Sequence, residues 1–300
     1  MKRILFLLAF SCLSISIITA QGLKKRVAVF VFQDKTDHSM HWYDGKGVGD
    51  GMADMLTTEL VKSGKYRVIE RSEIDRIMNE QHFGQSGAVT PESATKVGQL
   101  LGVEFAVIGA VTEFGKKDGN TDVGLQGTGI GLRQQGAVCG VDVRFVNTST
   151  GEIISADNIR KEKSKTGLSL STRDFQFNNR DGFDQSIIGK AARECVEGVM
   201  KLMEKAETKA PWQAKIITVE DGEIFINSGA NDGLKNGNHF MVYKKGKALI
   251  DPDTGLSLGS VDSKIGEIEV TDSSIGGGKA SKCRLVAGSA GEKGSLVRVN

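Results

Sequence analysis

Four groups of residues in this chain carry side chains or spacings that could do chemistry, and the residues around each decide what that chemistry is. His38 and His41 stand close to Asp37 and Asp44, a mixture of nitrogen and oxygen donors that suits a divalent metal. No third ligand pattern accompanies them, so they read as solvated loop residues. The run Gly124-Leu125-Gln126-Gly127-Thr128-Gly129-Ile130-Gly131 has the glycine density of a phosphate-cradling loop. Such a loop works when a strand delivers it and a helix follows whose first amides meet the phosphate. Residues 133–140 offer no helical pattern, and nucleotide binding is not expected. Gly276-Gly277-Gly278-Lys279 has Ser273 where an earlier glycine belongs and Ala280 where a metal-binding hydroxyl is required, so it reads as a turn. Asp251-Pro252-Asp253-Thr254-Gly255 sets carboxylates at alternate positions but stops short of the distant glutamate of a calcium loop; a tight turn explains it.

No serine sits in a nucleophile elbow, no cysteine has a neighbouring histidine, and no carboxylate pair is isolated in an apolar setting that would tune it. The reading is therefore a non-enzyme with no cofactor. Basic and acidic residues nearly balance, 39 against 37, whereas a nucleic-acid partner would require a strongly basic face. Protein or envelope partners are expected instead. Trp42 and Tyr43, in the loop before the first predicted helix, have two readings: a staple onto that helix or an exposed functional pair.

The elements that position these residues follow from hydrophobic period. Residues 27–32, Val-Ala-Val-Phe-Val-Phe, form a run suited to a strand buried on both faces. Val48, Met52, Leu56 and Leu60 recur every four positions with Met55 alongside, which predicts a helix stopped by Gly64. Residues 66–70 are β-prone. Ser72, with Asp75 three residues on, is the predicted cap of a helix burying Ile74, Ile77 and Met78. Thr90-Pro91 starts another, with Ala94, Val97, Leu100 and Leu101 on its face and Gly102 at its end. Residues 105–114 return as a strand. This order predicts an α/β sandwich, and a helix from about 184 to 205 would cover its open face with Ile187, Ile188, Ala191, Cys195, Val199, Leu202 and Met203.

Two stretches look unlike core segments. Residues 119–140 are glycine-rich, with partial alternation through Val123, Leu125, Ile130 and Leu132. Residues 160–183 are polar, with Leu168, Leu170, Phe175, Phe177 and Phe183 at mostly even spacings. Both read as β-hairpin arms, near 115–140 and 160–183. After Pro211-Trp212 the chain becomes short strands between glycine turns, at 215–219, 223–226, 239–244, 264–271, 281–285 and 296–299, the spacing of a small all-β barrel.

Met1-Lys2-Arg3, an apolar run from Ile4 to Ile18 and Thr19-Ala20 read as a secretory signal peptide cleaved after Ala20. The alternative is lipoprotein processing at Cys12, although Ala9-Phe10-Ser11 lacks the usual leucine. Cys139, Cys195 and Cys283 then remain, far apart and without paired spacing, so neither a zinc site nor a disulfide framework is expected. The predicted organisation is a signal peptide at 1–20, an α/β domain with arms at 21–210 and the small barrel at 211–300.

Several segments resemble a known family: Gln33-Asp34-Lys35-Thr36, residues 56–60, Val68-Ile69-Glu70-Arg71, Gln85-Ser86-Gly87-Ala88-Val89, Ile108-Gly109-Ala110-Val111-Thr112-Glu113-Phe114 and, most specifically, Val143-Arg144-Phe145-Val146-Asn147-Thr148-Ser149-Thr150-Gly151-Glu152-Ile153-Ile154. Through them the chain from about Val27 to Met203 resembles CsgG, the curli production assembly/transport family. The resemblance implies a lipoprotein ring in the outer membrane. Each subunit would give two β-hairpins to one large barrel, with a loop constriction through which unfolded curli subunits pass. The two unusual stretches fall where those hairpins would be. The loop at 37–46 is shorter than the family's constriction loop and lacks its asparagine-phenylalanine pair, leaving Trp42 and Tyr43 as the candidate constriction residues. Residues 42–47 also resemble soluble periplasmic relatives that assist peptidoglycan or flagellar assembly. The terminal part, with residues 226–234 and 251–255, is similar to the small C-terminal domain of the flagellar accessory protein FlgT.

A membrane strand needs about 9–11 residues of apolar-out alternation, which residues 123–132 and 166–177 approach. Val123, Leu125, Ile130, Leu132, Leu168, Leu170, Phe175 and Phe177 are accordingly the candidate membrane-facing positions. Two expectations follow. The first is a homo-oligomeric ring in the outer membrane that exports unfolded protein; the second is a soluble periplasmic scaffold that binds envelope assembly proteins.

Overall fold

The computed structural model describes residues 22–37, 41–42, 44–80, 89–119, 134–166, 180–250, 252 and 257–299. In chain order its first part runs β1 (Lys25–Val29), β2 (Gln33–Asp34), α1 (Val48–Ser63), β3 (Tyr66–Val68), α2 (Arg71–Glu80), α3 (Pro91–Leu101), β4 (Phe105–Gly119), β5 (Gln134–Asn147), β6 (Ile153–Thr166), α4 (Arg180–Gln185) and α5 (Ile187–Ala206). The sheet has the order β3-β1-β4-β5-β6, with β2 beside β4. β1 is parallel to β3 and β4, which explains its unbroken apolar run: helices cover both of its faces.

Val48, Met52, Leu56 and Leu60 of α1 are buried, and Gly64 ends the helix at φ 66°, a left-handed turn that glycine adopts without a Cβ clash. α2 begins at Arg71, two residues before a helix capped by Ser72 would start, because the Glu70 carbonyl already accepts from Glu73 N and Ile74 N; Ser72 lies inside the first turn. α3 opens on a capping box in which Thr90 Oγ1 accepts from Ser93 N at 3.3 Å and Ser93 Oγ accepts from Thr90 N at 3.0 Å. α1 and α5 pack on one face of the sheet around Leu56, Leu60, Phe105, Phe145, Ile188 and Met203. α2 and α3 pack on the other around Phe30, Ile74, Val97 and Ile108.

The second part contains β7 (Gln213–Glu220), β8 (Glu223–Ile226), β9 (His239–Lys244), β10 (Ala248–Ile250), β11 (Ser257–Ser260), β12 (Ser263–Ser274), β13 (Ala280–Gly288) and β14 (Leu296–Arg298). Six of these close into a barrel in the order β12-β13-β8-β7-β14-β9. Trp212, Ile216, Ile226, Phe240, Val242, Ile268 and Val270 fill it. β10 and β11 pair as a separate ribbon, which the sequence pattern did not reveal. The Gly276-Gly277-Gly278 run is a turn, as expected, with φ of 61°, 70° and 82°.

The arm regions are described only at their roots. β4 and β5 stay paired antiparallel out to Gly119 opposite Gln134, and β5 and β6 out to Gln134 opposite Thr166. Val123, Leu125, Ile130, Leu132, Leu168, Leu170, Phe175 and Phe177 lie outside the described residues. The polar stretch ending at Phe183 gives its last residues to α4 rather than to an arm; Phe183 is fully buried there. Among the described residues no helix is long and apolar enough to cross a membrane.

Candidate functional site

The arm roots are built on alternation. Along β5, Ala137, Cys139, Val141 and Val143 are buried in the core that α1 and α5 share with the sheet, as a two-residue period dictates. The intervening Gly136 and Gly140 permit a close approach on the opposite face: a Cβ on either would stand 3.0 Å from Lys117 O or Thr112 Oγ1 respectively. Further out the roots become charged. Arg160 pairs with Glu113 at 2.8 Å and also with Glu162, Lys117 pairs with Glu162 at 2.5 Å, and Lys163 reaches Glu194 of α5 at 2.5 Å. These pairs are solvent-exposed and screened, so they contribute little to stability.

Trp42 is the point where both roots meet. Its ring stacks on Phe114 at 5.5 Å, where β4 leaves the core, and lies 4.6 Å from Phe183, where α4 brings the chain back from the second arm. The loop holding it folds back on itself: Trp42 N donates to Lys46 O at 3.2 Å, Gly45 N donates to Trp42 O at 3.0 Å, and Gly45 has φ of 79°. Gly51 of α1 makes room, since a Cβ there would come within 2.0 Å of the indole. Trp42 is 5% exposed, the position of a residue stapled onto α1. Tyr43 lies outside the described residues.

The barrel docks at the other end of the sheet. Arg26, at the start of β1, donates to the buried Glu104 carboxylate at 3.4 Å and to the Asn227 and Gln213 carbonyls of the barrel at 3.2 and 3.3 Å. Burial raises the Glu104 pKa against the opposing pull of Arg26. Arg67 of β3 donates to both oxygens of Asp232 at 3.0 Å. Asp232, itself buried, also accepts from Ser228 Oγ and Gly229 N. Lys25 Nζ donates to Ala210 O at 2.6 Å, and burial lowers its pKa. β4 spans 15 residues from this clamp to the arm roots, a separation of roughly 45 Å at the usual strand rise.

The other sequence candidates are not brought together. His38 and residues 124–131 lie outside the described residues, and His41 is exposed. Asp44 pairs with Lys46 at 3.5 Å, and Asp54 pairs with the same amine at 2.9 Å. A groove of about 400 Å³ opens at the carboxyl end of β1, floored by Val29, Phe30, Ile74 and Met78 and rimmed by Arg71. Asp50 holds that guanidinium at 2.7 Å. Asp75 and Asn79 complete the rim, with Asp75 3.6 Å from the same guanidinium, so an apolar floor lies beside paired charges. Phe114, Phe183 and Gly51 were missed as partners of Trp42, because nothing in their spacing reveals contacts made across the fold.

The family model for the curli production assembly/transport component CsgG matches residues 12–238. Curli production assembly/transport component CsgG of Escherichia coli K12 is 27% identical over 218 residues, covering 69% of this chain and 73% of that protein. The protein of the same name from Citrobacter koseri is 27% identical over 218 residues, with the same coverage. Among solved structures, the hypothetical protein CT253 from Chlamydia trachomatis aligns with 61% of this chain and 97% of its own, at 18% identity and a TM-score of 0.41. The chain belongs to the CsgG family.

Proposed function

We propose that this chain is a non-enzymatic, exported envelope protein that assembles into a homo-oligomeric ring and serves there as a subunit of an outer-membrane secretion channel for curli-like or other unfolded protein. The observation that supports it is the open edge of the sheet. β6 is 14 residues long, where strands are usually about 5–6 residues, and among the described residues no strand pairs with its outer side. An exposed edge of that length is a template for another chain. A second copy is the natural occupant, with the mixed charges of Arg160, Lys161, Glu162 and Lys163 restricting which register it takes. Placing the barrel and the arm roots at opposite ends of β4 would leave the barrel in the periplasm while the arms reach the membrane.

One observation favours a second reading, the soluble periplasmic scaffold for envelope assembly. Lys116, Lys117, Arg160 and Glu162 crowd the described roots, and a lipid-facing strand would be apolar on one side. Carbonate washing of membranes from expressing cells separates the two. Protein retained in the washed membrane and extracted only by detergent supports the channel; protein released entirely into the soluble fraction leaves the scaffold.

A further inference from the structure

The fold brings together two cysteines that the sequence keeps apart. Cys139 of β5 and Cys195 of α5 are 56 residues apart and both fully buried. The Cys195 thiol donates to the Cys139 carbonyl at 3.1 Å and lies 3.6 Å from the Ile159 carbonyl. Both side chains belong to the same buried cluster between the sheet and α5. Cys283 sits alone in the barrel core, so among the described residues the pairing is unambiguous.

We infer that Cys139 and Cys195 form an intramolecular disulfide when the chain folds in the presence of a disulfide oxidant, tying β5 at the arm root to the helix beneath it. The inference rests on the export half of the proposed function, since an oxidising compartment supplies such an oxidant and a reducing cytoplasm does not. The chemistry balances by exchange. One cysteine thiolate attacks the oxidant's disulfide, forming a mixed disulfide and releasing one oxidant thiolate. The second cysteine then displaces the remaining oxidant sulfur. The chain loses two hydrogens and two electrons, and the oxidant becomes two thiols. The Cys195 sulfur, already 3.1 Å from the Cys139 carbonyl, moves to the bonding distance of about 2.05 Å from the Cys139 sulfur.

Timing follows from burial. The Cys195 hydrogen bond, then desolvation, hold the Cys139 thiol well above its ordinary pKa, and the thiolate is the reactive form. Exchange is therefore fast while α5 is undocked and slow in the native state. The bridge, once made, resists reductant until the fold opens.

The test is to refold the reduced chain in oxidised glutathione, alkylate residual thiols under denaturing conditions, and map the peptides without reduction. The expected result is a crosslinked peptide pair containing Cys139 and Cys195, Cys283 alkylated, and a bridge that dithiothreitol cleaves only after denaturant is added. A Cys283→Ser variant should keep the crosslink. Alkylation of both Cys139 and Cys195 in refolded protein, or a crosslink to Cys283, overturns the pairing and leaves two packed thiols. Peptide mapping of the chain recovered from expressing cells tests the other half. A crosslink made in vitro but missing from cells overturns export to an oxidising compartment, not the pairing.

Discussion

Replacing Trp42 with alanine separates the two readings that the loop sequence left open. If Trp42 is a core residue, its truncation removes a buried indole. A large aromatic buries roughly 150–250 Å², and at about 25 cal/mol per Å² the transfer contribution is about 4–6 kcal/mol. The alanine Cβ retains some of this. Partial collapse of Phe114 and Phe183 into the space recovers more, so about 3–5 kcal/mol should be lost. An exposed throat residue would cost no more than about 0.5 kcal/mol. The protein has two tryptophans, so in Trp42→Ala the remaining fluorescence comes from Trp212, buried in the barrel core. Urea unfolding followed by far-ultraviolet circular dichroism should show the α/β transition moving down by about 1.5 M, taking about 4 kcal/mol and a slope near 2.5 kcal/mol/M. Trp212 fluorescence should report a barrel transition that moves much less. An α/β midpoint within experimental error of the wild type would refute the core assignment, and Trp42 would have to be returned to the surface.

Gly51→Ala should lose at least about 1–3 kcal/mol, because the new Cβ overlaps the indole 2.0 Å away; a thermal melt unchanged from wild type would contradict the Trp42–α1 contact. Among the described residues, Arg67→Ala leaves the buried Asp232 carboxylate with Ser228 Oγ and Gly229 N as its donors, at a cost of about 2–3 kcal/mol. Limited proteolysis should then cut between α5 and β7 faster than in wild type. Asp262 bridges the β10–β11 ribbon to β14: burial opposes its ionisation, but Ser260, Arg298 and Gly246 N outweigh it and lower its pKa from 3.8. A depressed carboxylate pKa stabilises the fold above the unfolded value and loses that contribution as pH falls through the folded value. Asp262→Asn should therefore destabilise the barrel at pH 7, with the difference from wild type shrinking below about pH 3.8. A difference independent of pH would mean the carboxylate charge contributes nothing there.

Local signals carried the first part of the fold. Thr90-Pro91 starts α3, and Gly64 and Gly102 stop helices through their own backbone freedom, so each was readable from a few residues, whereas the Ser93 half of the α3 capping box came from the structure. The barrel strands were legible from their spacing between glycine turns, whereas β10 and β11 are only 3 and 4 residues long, too short for any period to show. What escaped was contact between distant segments. Trp42 in a polar loop looked equally suited to solvent or core until Phe114, Phe183 and Gly51 closed around it. The Arg67–Asp232 clamp joins residues 165 positions apart, and the Cys139–Cys195 contact depends on which face of β5 meets α5. Charge at Lys117, Arg160 and Glu162 was visible in sequence, but its pairing across three strands was not.

The central claim is that the sheet's open edge at β6 joins copies of this chain into a ring. Particle imaging of the detergent extract from carbonate-washed membranes tests it most directly. The account predicts closed rings of uniform subunit number, with strands of neighbouring copies paired along β6. A homogeneous population of single subunits in the soluble fraction, with no ring in the extract, would contradict it.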